Sequence, residues 1–117
     1  VHAHSVHATA VSTHGKSVPA FHYMVALAGG NDIKCAEYAT FGTEELSKNI
    51  IKALDNRKAC LMSNHGQVAF DISLDKAFEL STYLPINKNR LVKVYELRGN
   101  SKIRMGNYWE SISDFWA

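Results

Sequence analysis

The sequence predicts a layered α/β domain, on three observations. Short apolar stretches, Ala59 to Ser63 and Gln67 to Phe70, are separated by the turn Asn64-His65-Gly66, the pattern of a hairpin. Thr43 and Ser73 stand at capping positions directly ahead of residues with helical apolar spacing. At 117 residues, 46% apolar and 21% charged, the chain suits one soluble hydrophobic core.

The elements follow in order. Val1 to Ser5 alternates histidine with small or apolar residues and reads as the end of a strand, so a period of two puts His2 and His4 on one face. Val6 to Thr13 reads as a short helix ended by Gly15. Ser17 to Phe21 is extended, because Val18 precedes a proline and so avoids the helical region. His22 to Ala28 has helical spacing and stops at the turn Gly29-Gly30-Asn31. A loop runs through Ala36 to Gly42. Thr43 then caps the best helix of the chain, with Glu44 and Glu45 at its positive dipole end and Leu46, Ile50 and Leu54 repeating along one side. After the hairpin, Ser73 caps a last helix from Leu74 to about Leu84, where Pro85 stops it. The expected order is strand, helix, strand, helix, helix, hairpin, helix.

Composition excludes several classes of protein. No apolar run is long enough to span a bilayer and no signal sequence opens the chain, which implies a soluble, cytoplasmic protein with no membrane partner. Cys35 and Cys60 lack a C-x-x-C spacing, so they read as free thiols rather than a disulfide or a zinc knuckle. A formal charge of +2 argues against nucleic acid as a partner. The texture changes near Pro85: residues 1–84 carry 7 basic against 8 acidic side chains, whereas residues 85–117 carry 6 against 3 and both tryptophans. The chain therefore divides into a domain at 1–84 and a basic, aromatic tail at 85–117. Arg90, Lys93, Arg98, Lys102, Arg104, Tyr108 and Trp109 have the composition of a single-strand-binding surface, but without a motif they read as a solvated or partly packed tail.

The residues able to do chemistry are the histidines. Two imidazoles two positions apart on a strand face one point, and a third from a tight turn can complete three corners of a tetrahedron. His2, His4 and His65 have this arrangement, and three neutral nitrogens suit zinc or another borderline divalent ion. Alone, H-x-H is a weak signal, more often met in surface or hydrogen-bonded histidines. Gly66 strengthens it, because a glycine lets backbone come close to a ligand. His7, His14 and His22 read as helix-surface or hydrogen-bonded histidines.

The run His2-Ala3-His4-Ser5-Val6-His7-Ala8-Thr9-Ala10, with Val18-Pro19-Ala20-Phe21-His22-Tyr23-Met24, Ala36-Glu37-Tyr38-Ala39-Thr40-Phe41-Gly42-Thr43 and Asn64-His65-Gly66, closely resembles the class II aldolase/adducin family. Motif order and spacing match over residues 1 to about 84. The resemblance implies a three-layer α/β/α fold with a mostly antiparallel central sheet. It also implies a zinc-dependent lyase that splits a ketose 1-phosphate, such as L-fuculose 1-phosphate, into dihydroxyacetone phosphate and an aldehyde. His2, His4 and His65 would hold one zinc ion per subunit, a Lewis acid that stabilises the enediolate left when the carbon–carbon bond breaks. Tyr23 matches the family tyrosine that enters a neighbouring subunit's site as proton donor, a role open to a phenol with an ordinary pKa of ~10. Phe41 matches an apolar wall beside the substrate, though a buried core phenylalanine is an equal reading of that position. The family's ring-like tetramers imply a homo-oligomer.

Two departures keep other readings open. Family members carry an N-terminal half with a Gly/Asn/Ser-rich phosphate cradle and a glutamate that is both zinc ligand and base. None of it matches this chain, and Glu37, Glu44 and Glu45 do not match that glutamate, so an incomplete portion of such an enzyme is expected. Beyond Leu84, the family's continuing helix is replaced by Pro85-Ile86-Asn87 and unmatched residues. The alternatives are a non-catalytic fragment, an adducin-like association module, or a relative of the pentulose-phosphate 4-epimerases. The last share H-x-H and Asn-His-Gly but usually lack the His22-Tyr23-Met24 triplet.

Overall fold

In the computed structural model of the chain, which describes residues 1–87, helices lie on both faces of a five-stranded sheet. The elements are β1 (His2–Ala3), α1 (Val6–Ser12), β2 (Val18–Pro19), a 3-10 helix (Tyr23–Ala28), β3 (Asp32–Ala36), α2 (Glu44–Ala53), β4 (Ala59–Met62), β5 (Gly66–Ala69), α3 (Leu74–Tyr83) and a 3-10 turn (Pro85–Asn87). Strand order is β1-β5-β4-β3-β2. Only β3 and β4 run parallel, joined by the crossover helix α2, and the other three pairs are antiparallel. The tail residues Arg90, Lys93, Arg98, Lys102, Arg104, Tyr108 and Trp109 lie outside the described residues.

The caps act where the sequence places them. The Thr43 hydroxyl accepts the Leu46 amide at 3.3 Å, and the Ser73 hydroxyl accepts that of Lys76 at 3.2 Å. Two expectations need correction. Asp32–Ala36 is a strand, β3, and lies inside the sheet between β4 and β2. Its Asp-Ile-Lys-Cys-Ala sequence carries too few apolar residues to announce a buried strand, and only pairing on both sides makes it one. His22 to Ala28 forms a 3-10 helix rather than an α-helix. The His22 cap and left-handed Gly29 (φ 98°) bound it on either side.

Alternation along the strands builds two cores. Ile33, Ala59, Leu61 and Ala69 face α1, α3 and both 3-10 segments, packing with Ala8, Val11, Val25, Leu80, Leu84 and Ile86. Ala36, Cys60 and Val68 face the other way, against Ile50, Ala53 and Leu54 of α2. Fully buried side chains such as Ile33 and Leu61 each contribute roughly 1.5–3 kcal/mol. Both cysteines are free. Register also sets the site: Lys34 pairs with Cys60, Cys60 with Val68, and Val68 with His2, so these four side chains form one row on the α2 face. No helix among the described residues is long and apolar enough to cross a membrane.

Candidate metal centre

Three imidazoles meet where the edge strand β1 crosses the end of the β4–β5 hairpin. Ring centroids are 4.6 Å apart for His2 and His4, 4.9 Å for His2 and His65, and 4.9 Å for His4 and His65, close to an equilateral triangle. One nitrogen from each ring lies within 4.8 Å of the others. Helix α1 joins the two halves of the cluster. It starts at the cap Ser5, directly after His4, and its other end holds the hairpin bend: Ser12 accepts the Asn64 amide through its carbonyl (3.2 Å) and the His65 amide through its hydroxyl (3.3 Å). Thr9 adds a hydroxyl bond to the His65 carbonyl at 3.4 Å. Asn64 takes the left-handed conformation (φ 56°) that a tight bend needs.

The hydrogen bonds select a tautomer. The Gln67 carbonyl lies 2.9 Å from His2 Nδ1 and can only accept, so Nδ1 carries the proton and Nε2 offers its lone pair. That Nε2 lies 2.8 Å from His4 Nε2. Two lone pairs cannot face each other at this distance, so a proton or a cation must lie between them. At His65, burial first, and then the charge that His2 and His4 would carry, push the imidazole pKa below its ordinary value and favour the neutral, ligating form. Two exposed rings and one half-buried ring leave the cluster open to solvent on one side. All-nitrogen donors with one pinned tautomer fit a borderline divalent ion with a free coordination position.

Gly66 has a different task from the one expected of it. A Cβ there would stand 2.5 Å from the Ala3 carbonyl oxygen and 3.1 Å from His4 Cδ2, so it is β1 itself, rather than a ligand, that comes close. The Gln67 side chain, 1% exposed, anchors β5 from behind by donating to the Ser81 carbonyl (3.1 Å) and hydroxyl (2.7 Å). Neither this pair nor Ser12 could be recognised in advance, because each acts on a residue distant in sequence.

The two remaining candidates, Tyr23 and Phe41, are both exposed. Tyr23 is 81% exposed and stacks at 4.5 Å on His22, whose Nδ1 accepts the Met24 amide. Its 3-10 helix ends against Lys58, just before β4, and neighbouring Met24 shares a groove with Lys58 and Asp71. His65 lies beyond the opposite end of β4, about 14 Å or more from Lys58 at ~3.4 Å per residue. Phe41 is 79% exposed, which overturns the buried-core reading of that position. His7 is buried rather than on the helix surface, and burial lowers its pKa, whereas His14 is exposed. Among the described residues no carboxylate joins the three imidazoles. Glu44 instead pairs with Lys48 at 2.8 Å.

Residues 1–85 match the family described as Class II Aldolase and Adducin N-terminal domain. Over 81 residues the chain is 57% identical to L-fuculose phosphate aldolase of Escherichia coli (strain K12), covering 69% of this chain and 38% of that protein. Over 81 residues it is 49% identical to 5-methylthioribulose-1-phosphate/5-deoxyribulose-1-phosphate aldolase of Rhodospirillum rubrum, covering 69% and 37%. A solved structure of L-fuculose 1-phosphate aldolase superposes with a TM-score of 0.70 at 35% identity, covering 96% of this chain and 54% of that one. The chain thus spans under two-fifths of the length of these curated relatives.

Proposed function

Because the chain belongs to the class II aldolase and adducin family, we propose that it carries the zinc-binding part of an aldolase acting on a ketose 1-phosphate, with L-fuculose 1-phosphate the favoured substrate. The observation that supports this reading is the convergence of His2, His4 and His65, with the His2 tautomer pinned by the Gln67 carbonyl. Bound there, zinc would act as a Lewis acid on the ketose carbonyl and the adjacent hydroxyl. His2, His4 and His65 would hold the ion through neutral nitrogens, with the Gln67 carbonyl orienting the His2 ring and Ser12 fixing the backbone that carries His65. Tyr23, exposed and remote from its own chain's cluster, serves the site of a second copy, where its phenol donates a proton toward the aldehyde oxygen. Phe41, exposed as well, supplies an apolar wall beside the substrate in a homo-oligomer, a tetramer by family resemblance.

The test combines metal analysis with an aldehyde-release assay on L-fuculose 1-phosphate. The expected result is one zinc per chain, lost in His65→Ala with the far-UV spectrum unchanged, and, once the chain is joined to the N-terminal half of L-fuculose phosphate aldolase, aldehyde release that falls in Tyr23→Phe while zinc stays bound. Weak or absent zinc binding, with no aldehyde release from the joined protein, would support the non-catalytic association module instead. No zinc uptake by a folded chain would overturn the zinc-aldolase reading.

A further inference from the structure

A second polar site lies on the same sheet face as the imidazoles, between β3 and α2. It is a cavity of about 170 Å³ lined by Ser17, Lys34, Glu37, Asn49 and Lys52, with Ala36 and Ala53 as its apolar floor. Lys34 is half-buried, because its strand position directs it under α2. Neither Lys34 nor Lys52 forms an ion pair among the described residues, whereas Lys48, Arg57 and Lys58 each do. Two ammonium groups against the single Glu37 carboxylate leave this small cavity with a local excess of positive charge, within residues 1–84, which are slightly acidic as a whole.

We propose that this cavity binds a phosphate group. The two lysines and the Ser17 hydroxyl supply donors for a tetrahedral oxyanion, and the Asn49 amide, which donates to the Glu37 carbonyl at 3.2 Å, ties the rim of the cavity to α2. Glu37 is the one acid in the lining, and its carboxylate only accepts hydrogen bonds. It selects an anion that brings its own hydroxyl, such as hydrogen phosphate or a hydroxylated phosphate monoester, over sulfate, which has no proton to offer at neutral pH. The site is separate from the metal centre. Lys34 and His2 end the same cross-strand row, three strand spacings apart, or about 14 Å. None of the cavity's lining residues is one of the three imidazoles, so the proposal concerns a different molecule from the proposed substrate and does not depend on the aldolase reading.

The experiment is an amide-resolved NMR titration of the 117-residue chain, stripped of metal on a chelating resin, with inorganic phosphate, glycerol 3-phosphate and sulfate in turn. Phosphate should saturate, with shifts concentrated at residues 34–37 and 49–53 and small at His2, His4 and His65. Lys34→Met and Lys52→Met should each weaken it at least fivefold, whereas Lys16→Met should not. Glycerol 3-phosphate binding tighter than phosphate would identify a metabolite's phosphate end as the ligand, and equal or weaker binding would identify free phosphate. Shifts spread over all the lysines, indifference to both substitutions in a folded chain, or sulfate binding as tightly as phosphate would each overturn the proposal.

Discussion

Replacing Gly66 by alanine tests whether the approach of β1 to the hairpin is what assembles the three imidazoles. The added Cβ would lie 2.5 Å from the Ala3 carbonyl oxygen, where real Cβ atoms stay beyond 3.0 Å and make ordinary contact from 3.4 Å. Relief therefore requires a displacement of about 0.5 to 0.9 Å, and the obstacle is backbone, which has no rotamer to change. Strand β1 has two residues and one neighbour, β5, so it gives way sooner than the hairpin that α1 holds. Its movement carries His2 and His4 away from His65. Metal–nitrogen bonds tolerate only about 0.2 Å, so the displacement exceeds what the ligand set can absorb. Zinc affinity should fall by roughly 10- to 100-fold, the range seen when support for a ligand is lost, or about 1.4–2.7 kcal/mol. Competition against a chromophoric chelator measures this, with far-UV circular dichroism confirming that the fold persists. Affinity within twofold of the parent chain, whether or not the melting temperature falls, would refute the reasoning.

Three other outcomes follow from the same geometry. Leu61→Ala empties a fully buried position of the larger core and should cost 2–5 kcal/mol, read from urea unfolding at constant m-value. Burial pushes the Cys35 thiol up to about 11 and the Cys60 thiol, with Cys35 beside it, up to about 12, so iodoacetamide at pH 8 should modify the native chain far more slowly than the denatured one. Equal rates in the two states would contradict the buried placement. Burial lowers the His7 pKa in the folded state, so the unfolded chain binds more protons as pH falls below about 6.5. The stability tied to a neutral His7 is complete above that pH and is lost as pH falls through the folded pKa. Urea midpoints should drop between pH 7.5 and pH 5, and His7→Gln should flatten the slope.

Local chemistry accounts for what could be read in advance. Thr43 and Ser73 cap their helices because a hydroxyl beside free amides needs no tertiary partner, and Asn64-His65-Gly66 turns because Asn64 accepts a left-handed conformation. The candidate ligands were legible for the same reason: period two aligns His2 with His4, and the bend presents His65. Strand β3 was missed because its five residues carry two charges and a cysteine, and only pairing with β2 and β4 gives them a structure. Phe41 had two readings, core or surface, and no local rule chooses between them.

The sequence by itself determined the helix caps, the hairpin, the residue types of the ligand set and the family. The tertiary structure alone decided that β1 pairs with β5, which brings residues 2 and 68 together. It also decided that the Gln67 carbonyl chooses the His2 tautomer, and that Lys34 and Lys52 share a cavity. The physical reason is range. Caps and turns are settled by groups within a few residues of one another, whereas a tautomer, a close strand approach or a pair of like charges at one cavity depends on neighbours that only the folded sheet supplies.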